Sequence, residues 1–544
     1  MRKVSSNILS MKWISAAIIS LLGVVVMLFW LFLYPHAISY QEQYQLFLWT
    51  GDYLLEELKV AGGLSQYIGE FIVQFYHIEW LGALLLGCVY AAMSFLVFKA
   101  MKSKGVLLAL IPAVLLLWHM GDENVMLSYP VAIIIALAAF LCLKKTHFLA
   151  DIAVLPILYW LIGPMAWLYA VLRVCNWKSA LMLVYLLALQ LLSRMMLLQQ
   201  WPLESVMFGI WYYRYAVTTP VLQIIIPVVI ILLAKCVSFL KSDTKVGAIC
   251  SLFLVVVAGW YGHKEGYDKD KYELIKQDYL IRNERWNEVI SNAERYTVYT
   301  PFWSESVNLA LAMTGELSNR MFAFYQSGED ALIMPMYRDM TSNLPSMEAF
   351  YRLGMTNECL RYAFDLQESI PFGKRSGRLT MRIVESCIVS GRYDVARKHL
   401  NLLKHSLFYR DWAKDAEPYI GDEVMINSHP VWGKMRQKEF TNDFLYYYPE
   451  IAKVFYHLFV SNTNNKMAME YMLGQVLLEG DDYVFKQLVG AVKQYNHYST
   501  MPYTYQDAIQ CMQGQPSPAS RYAEYAKRMM AMGDNEKKEE ESAH

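Results

Sequence analysis

Long apolar stretches alternate with short polar ones over the first 262 residues of this 544-residue chain, and the pattern then stops. About nine of these stretches are long enough to enter a bilayer, whose hydrocarbon core takes roughly 20 helical residues to cross. Their bounds are 13–33, 80–98, 106–118, 126–143, 149–162, 165–174, 180–198, 221–240 and 246–261. The pattern predicts an all-α protein, in which a polytopic membrane helix bundle at 1–262 precedes a soluble domain.

Two of the stretches, 149–162 and 165–174, are each short for a full crossing, and Gly163-Pro164 stands between them. Proline disfavours the continuation of a helix through this point. The pattern is therefore typical either of one broken span or of a hairpin of two half-depth helices, and it does not distinguish the two.

Basic residues predict an orientation for the segments. Of the 16 Lys and Arg residues before Gly262, 13 fall at alternate ends of the stretches, which are therefore predicted to be cytoplasmic. They are Arg2, Lys3, Lys12, Lys99, Lys102, Lys104, Lys144, Lys145, Arg173, Lys178, Lys235, Lys241 and Lys245. An odd number of spans then puts the N-terminus inside and residues 263–544 outside. Because the apolar core of 13–33 is longer than that of a signal peptide, we expect an anchor in a bacterial inner membrane and a periplasmic soluble domain.

Helical periodicity in the soluble half is interrupted at Gly315, Gly354, Gly391 and Gly480, and a second amphipathic run follows each glycine. A glycine turn followed by an aromatic and then a small residue is typical of tetratricopeptide helix pairs. We therefore predict an extracytoplasmic α-solenoid of degenerate TPR-like helix pairs at 263–532, with a concave surface for a peptide, a protein partner or a glycan. Cell-envelope proteins are the expected partners if the protein is a scaffold. The charged tail at 533–544 is predicted to be disordered.

Charge and cysteine content exclude several functions. The membrane half carries 16 basic and 11 acidic residues and the soluble half 33 and 38, so no basic domain indicates nucleic-acid binding. Cys359, Cys387 and Cys511 lie outside the apolar stretches but lack metal-ligand spacing, so neither a zinc site nor a disulfide framework is predicted.

Acidic residues of the membrane half concentrate on the predicted outer side, which holds nine of the 11. They are Glu42, Asp52, Glu56, Glu57, Glu70, Glu79, Asp122, Glu123 and Glu204. Six belong to a single outer loop, 34–79. Its stretches 43–49 and 64–76 mix polar and apolar residues at a helical period, which predicts two amphipathic helices in the membrane interface.

This arrangement resembles the C-type fold of glycosyltransferases that use polyprenyl-phosphate sugars as donors. The resemblance is carried by Gln41-Glu42-Gln43-Tyr44 soon after the first span, by Gly62-Gly63-Leu64-Ser65-Gln66-Tyr67 and by Phe75-Tyr76 and Gly82. It implies that the acidic position, Glu42, acts as a base or binds metal. The chain departs from the family in having a lone Glu42 where an acidic pair is common, and in lacking an Arg after the second loop helix.

Over its whole length the chain is similar to an uncharacterised family of multi-pass bacterial membrane proteins with a periplasmic repeat tail. This similarity is visible from Gly62-Gly63-Leu64 to Gln74-Phe75-Tyr76, at 277–282 through Tyr296, and at 308–312. The family has no established activity, so the similarity implies the architecture only.

An inverting sugar transfer requires a carboxylate to accept the acceptor proton and positive charge to bind the departing lipid phosphate. We predict Glu42 as the base and Arg214, Tyr213 and Asp52 as substrate-binding residues. Asp122 and Glu123 are candidate ligands of a divalent metal. Solvated interface carboxylates and an arginine anchored among aromatic residues are the structural alternatives for these residues. The alternative function is a non-enzymatic membrane scaffold; a transporter is third, because no span centre carries a clear ionisable residue.

Overall fold

A computed structural model describes residues 2–144, 147–209, 213–214, 219–237, 244–440 and 448–543. Two of the basic residues that were used for the orientation, Lys145 and Lys241, lie outside this set. The chain divides into two compact units, the first made of residues 1–272 and 405–408 and the second of residues 273–404 and 409–544. The regular secondary structure of both units is helical in the described residues, apart from one isolated β-bridge, Val125 with Arg214.

The first unit consists of thirteen α-helices and three short 3-10 helices within the described residues. The α-helices are Arg2–Leu33 (α1), Pro35–Glu42 (α2), Gly51–Glu57 (α3), Gly63–Val73 (α4), Glu79–Ala100 (α5), Ile111–His119 (α6), Ser128–Cys142 (α7), Phe148–Ile162 (α8), Ala166–Arg173 (α9), Trp177–Met196 (α10), Leu203–Phe208 (α11), Val221–Cys236 (α12) and Lys245–Gly266 (α13). The 3-10 helices are Gln74–His77, Leu108–Leu110 and Gly163–Met165.

Five helical segments in the described residues are long and apolar enough to cross a membrane, which indicates a membrane protein. They are Trp13–Leu33, Glu79–Ala100, Phe148–Arg173, Trp177–Met196 and Lys245–Gly266. Three shorter apolar helices accompany them: Leu108–His119, Ser128–Cys142 and Val221–Cys236. Each apolar stretch found in the sequence thus overlaps a helix in the described residues. Helix α1 packs along α5 where Gly23 faces Gly87, and a Cβ atom on Gly23 would lie 2.9 Å from the Gly87 carbonyl oxygen.

The segment Phe148–Arg173 reverses direction at its centre. Helix α8 ends at Gly163, whose φ of 63° and ψ of −146° belong to a region that is essentially restricted to glycine. The two ends of the segment then meet, since the Arg173 guanidinium is 2.6 Å from the Asp151 carboxylate. Residues 148–173 are therefore a helical hairpin, with its tip at residues 162–165.

The 34–79 segment follows the prediction only in its second half. Helix α4 and the 3-10 turn after it cover the predicted helix 64–76, whereas 43–49 is not helical. The prediction of an amphipathic helix there was wrong, because polar and apolar side chains alike are buried from residue 43 to residue 47. Without a solvent-facing side, the residues pass through the core as irregular chain, and the helix forms earlier, where Pro35 supplies a favourable first position.

The second unit contains sixteen α-helices within the described residues, the first of which begins at the end of the first unit. They are Lys269–Arg282 (α14), Trp286–Ala293 (α15), Pro301–Thr314 (α16), Leu317–Arg320 (α17), Leu344–Leu353 (α18), Thr356–Glu368 (α19), Gly377–Val389 (α20), Tyr393–Leu403 (α21), Arg410–Ala416 (α22), Glu423–Ser428 (α23), Trp432–Lys438 (α24), Ile451–Ser461 (α25), Lys466–Glu479 (α26), Asp482–Val492 (α27), Tyr503–Met512 (α28) and Arg521–Ala543 (α29). Short 3-10 helices are Met321–Ala323, Gly328–Ala331, Pro371–Gly373, Glu417–Tyr419, Tyr448–Glu450 and Lys493–Tyr495.

Successive helices of this unit pack as pairs, including α18 with α19 and α20 with α21. The four glycines that were predicted to interrupt the helices all have φ between 71° and 91°, which confirms that each lies in a turn. Glu284, in the turn between α14 and α15, adopts the same left-handed conformation without being a glycine, with φ of 53°. Helix α29 extends through most of the segment predicted as a charged tail.

Candidate functional site

Glu42 ends helix α2 and is almost completely shielded from solvent, with 4% of its surface exposed. Its Oε1 atom lies 3.9 Å from Nδ1 of His77, which belongs to the 3-10 turn after α4. The His77 side chain keeps 36% of its surface exposed, so the imidazole adjoins both the buried carboxylate and the solvent. A shielded carboxylate beside an exposed imidazole is an arrangement that can accept a proton and pass it on.

Gln41, the residue before Glu42, joins α2 to two distant parts of the first unit. Its Nε2 donates to the carbonyl oxygen of Val125 at 3.2 Å, a contact that spans 84 residues of sequence. Val125 in turn forms the antiparallel β-bridge with Arg214. The helix that carries Glu42 is thus hydrogen-bonded to the loop at 121–126, and that loop is paired with residues 213–214.

Two ion pairs flank this junction. The guanidinium of Arg214 contacts the Asp122 carboxylate through Nε, and the two side chains are 19% and 26% exposed. Beside them, Lys271 Nζ lies 3.3 Å from Glu123 Oε1. Arg214 is therefore held in place by an acidic partner at a partly exposed position, where it can also meet an anionic ligand.

The predicted metal ligands have different partners in this arrangement. Asp122 contacts Arg214, and Glu123 contacts Lys271. No group of three or more His, Cys, Asp and Glu side chains that could bind a metal ion is present in the part of the chain that the structure describes. Because divalent cations in proteins take several oxygen ligands, these two carboxylates, each paired with a cation of the protein, do not fit a metal site.

Tyr213 is fully buried and holds the tip of the hairpin. Its hydroxyl accepts a hydrogen bond from the Met165 backbone N–H at 3.2 Å and donates one to the carbonyl oxygen of Ile162. Its own carbonyl oxygen accepts from the N–H of Met126 at 2.8 Å. Burial raises the pKa of the Tyr213 phenol, so the hydroxyl stays protonated and remains a donor.

Residues 58–63 of the 34–79 segment lie against the same hairpin. The N–H of Gly62 donates to the Trp160 carbonyl oxygen at 2.9 Å, and the Trp160 indole donates to the carbonyl oxygen of Leu58 at 2.9 Å. These bonds satisfy backbone groups of residues 58–63 and of the hairpin that have no partner within their own segment. A non-helical segment in an apolar environment requires such partners.

The structure gathers some of the predicted residues and separates one. Asp122, Glu123, Tyr213 and Arg214 surround one junction, and Gln41 connects it to the helix of Glu42. Asp52 instead lies exposed in the first turn of α3. Asp52 is not part of this group, and its role in substrate binding stays a prediction.

His77 and Gln41 were not predicted as site residues from the sequence. Gln41 stands next to the predicted base and belongs to the acidic motif, which was a usable signal. His77 is 35 residues from Glu42 and carries no motif, so only the packing of α2 against the turn after α4 reveals it.

No curated protein and no solved structure matches this chain. One family model matches residues 9–537, nearly the whole chain. The chain therefore belongs to DUF6057, a family of unknown function.

Proposed function

We propose that this protein transfers a sugar from a polyprenyl-phosphate donor at the outer face of the bacterial inner membrane, with Glu42 as the base. The observation that carries the proposal is the position of Glu42, which is 4% exposed and 3.9 Å from His77. A carboxylate in bulk water would have favoured the scaffold. The likeness of the 34–79 segment to the outer loop of C-type glycosyltransferases supports the same function.

In the proposed reaction, an acceptor hydroxyl oxygen attacks the anomeric carbon of the donor. The bond between that carbon and the phosphate oxygen breaks, and its electron pair stays on the departing lipid phosphate. Glu42 accepts the hydroxyl proton, and His77 conducts it to solvent. Arg214, oriented by Asp122, stabilises the charge that develops on the phosphate.

We further propose that the N-terminus is cytoplasmic, that the second unit is a periplasmic TPR-like solenoid, and that about nine apolar segments build the membrane bundle. Two of these segments form the hairpin, which enters and leaves on one side, so the number of crossings stays odd. Basic residues at one end support this orientation: the Arg173 guanidinium donates to the Lys144 carbonyl oxygen at 3.3 Å, and Lys235 Nζ donates to that of Val174 at 2.9 Å. A reporter fused after residue 544 should be active only in the periplasm, and cytoplasmic activity would contradict the orientation.

The test of the catalytic role measures the release of polyprenyl phosphate from a polyprenyl-phosphate hexose by the full-length protein in proteoliposomes. Glu42→Gln keeps the volume but cannot accept a proton, so we expect transfer to fall by about 10²- to 10⁴-fold with donor binding retained. Glu56→Gln, an exposed acid of the same segment, is the matched control and should transfer at the wild-type rate. Arg214→Ala should weaken donor binding instead.

Wild-type transfer by Glu42→Gln would refute the proposal. In cells that lack the protein, complementation by Glu42→Gln but not by a chain without residues 273–532 would favour the alternative function, a scaffold whose second unit recruits envelope proteins.

A further inference from the structure

An apolar cavity of about 420 Å³ lies in the first unit beside the tip of the hairpin. Helices α9, α11 and α12 and residues Pro164 and Met165 form its walls. Its volume is within the range of about 300–1,000 Å³ that is usual for small-molecule sites.

Pro227, inside helix α12, is one of the wall residues of this cavity. Pro227 lacks the N–H that would pair with the Gln223 carbonyl oxygen, and the Tyr129 hydroxyl takes its place at 2.9 Å. A side chain from another helix thus compensates for the hydrogen bond that the proline removes, so α12 continues past Pro227 without an unsatisfied carbonyl at Gln223.

Among the described residues, Gln223 Oε1 is buried without a hydrogen-bond partner, but the polar donor atoms of the cavity wall have partners within the protein. Gln223 Nε2 donates to the Phe208 carbonyl oxygen at 2.5 Å, and the Trp167 indole donates to Gln190 Oε1 at 2.8 Å. The Tyr213 hydroxyl donates to the hairpin tip. The remaining lining residues are Pro, Met, Leu, Val, Phe and Ile. A ligand therefore meets a hydrocarbon surface, and a polar ligand would lose its hydration without replacement.

Two apolar wall residues of α12, Ile224 and Val228, have 44% and 46% of their surface exposed. The cavity is therefore accessible from the side that faces lipid. The wall also includes Tyr213, and the next residue along the chain is Arg214, the cation that the proposed reaction uses for phosphate. A single apolar chain attached to a phosphate matches an apolar cavity whose wall includes the neighbour of this cation.

We propose that this cavity binds the isoprenoid chain of the polyprenyl-phosphate donor and that it contacts only the part of the chain nearest the phosphate. At roughly 30 Å³ for each water-sized group, 420 Å³ accommodates about 14 such groups. This corresponds to about three isoprene units of five carbons each. The proposal rests on the proposed function for the identity of the donor, and it adds the site and the length of chain that the protein recognises.

The experiment uses full-length protein in nanodiscs and a polyprenyl-phosphate probe with a photoreactive diazirine on its third isoprene unit. We expect crosslinks to peptides from residues 164–171 and 221–231, and at least tenfold fewer from a probe that carries the diazirine at the far end of the chain. Farnesyl phosphate, with three units, should compete as well as longer chains, and geranyl phosphate, with two, should compete less. Phosphatidylglycerol at the same mole fraction should not compete.

Val228→Trp places a large ring in the cavity and should reduce crosslinking at least tenfold. Val256→Trp makes the same change on the exposed face of α13, away from the cavity, and should crosslink as the wild type does. The crosslink map of the wild type stands independently of how these variants fold.

Equal competition by phosphatidylglycerol, or crosslinks spread evenly over the apolar helices, would overturn the cavity proposal even where transfer depends on Glu42. Cavity crosslinks together with wild-type transfer by Glu42→Gln would leave the binding site standing and overturn the proposed reaction.

Discussion

Asp151 and Arg173 are 22 residues apart in the sequence, yet the carboxylate and guanidinium are 2.6 Å apart. A continuous helix over this distance would separate them by about 33 Å, at 1.5 Å per residue. The ion pair therefore requires the reversal at Gly163 and closes the open end of the hairpin. The Tyr169 hydroxyl donates to the same carboxylate at 2.7 Å.

Breaking this ion pair should destabilise the first unit strongly, because its side chains are only 5% and 12% exposed. We expect Asp151→Ala and Arg173→Ala each to cost about 3 kcal/mol, since each leaves the partner charge buried. The double variant should cost less than the sum of the two by about 1–3 kcal/mol. Unfolding of the full-length protein in detergent measures all three.

Lys264 and Glu265 form a comparison pair at 3.8 Å, with side chains 65% and 45% exposed. Alanine at both positions should cost less than about 1 kcal/mol. Strictly additive effects of the Asp151 and Arg173 substitutions would contradict the prediction that their ion pair stabilises the open end of the hairpin.

Two buried glutamates of the second unit should give its stability opposite dependences on pH. Burial raises the pKa of Glu305 well above its ordinary 4.5, the Ser346 hydroxyl lowers it by less, and Asp330 raises it further. Its stabilising contribution is therefore present below pH 4.5 and is lost as the pH rises through the elevated pKa. The melting temperature of Glu305→Gln should increasingly exceed that of the wild type from pH 5 to 8, measured on the full-length protein. A difference that does not change with pH would contradict this.

Glu348 is equally buried, but three arginines surround it. Burial alone would raise its pKa, yet Arg382, Arg352 and Arg378 outweigh that effect and hold the pKa well below 4.5. Its contribution is present above pH 4.5 and is lost as the pH falls through the lowered pKa. Glu348→Gln should cost about 3–5 kcal/mol at pH 7, because the buried Arg352 and Arg378 and the partly buried Arg382 lose their shared partner. The difference in free energy of unfolding between the wild type and Glu348→Gln should shrink as the pH falls below 4.5. A difference that grows instead would contradict the lowered pKa of Glu348.

Alanine at two turn glycines should separate backbone strain from steric overlap. Gly391 has φ of 72°, and the nearest atom to an added Cβ is Arg436 Nη2 at 4.0 Å. Gly391→Ala should therefore cost about 1–2 kcal/mol from the left-handed backbone alone. Gly354 has φ of 91°, and its Cβ would also overlap the backbone carbonyl of Lys438, which should add about 1–3 kcal/mol.

Gly490 provides a control of opposite sign, because it lies exposed inside helix α27 with no atom within 4 Å of an added Cβ. Gly490→Ala should stabilise the protein by about 0.5–1 kcal/mol. Thermal unfolding of the full-length variants measures the order of the three stability changes. Equal losses of stability at positions 354 and 391 would show that the overlap with Lys438 relaxes without cost.

The helices of the apolar stretches and the turns at the four glycines could be predicted from the amino-acid sequence alone. Apolar stretches such as 13–33 and turn glycines such as Gly391 are local signals, since hydrophobic length and a left-handed φ depend on a few neighbouring residues. The sequence also located Glu42 and Arg214 as candidates, because charged residues are rare in an apolar half and stand out there.

Which of these residues meet depends on tertiary packing. His77 beside Glu42, Asp122 against Arg214 and the closed hairpin all join positions far apart in the chain, and no local pattern encodes them. The same reason explains the error at 43–49, where burial on every side overrode the helical period. Long-range contacts follow from how the helices pack, and packing depends on the shapes of all the surfaces together.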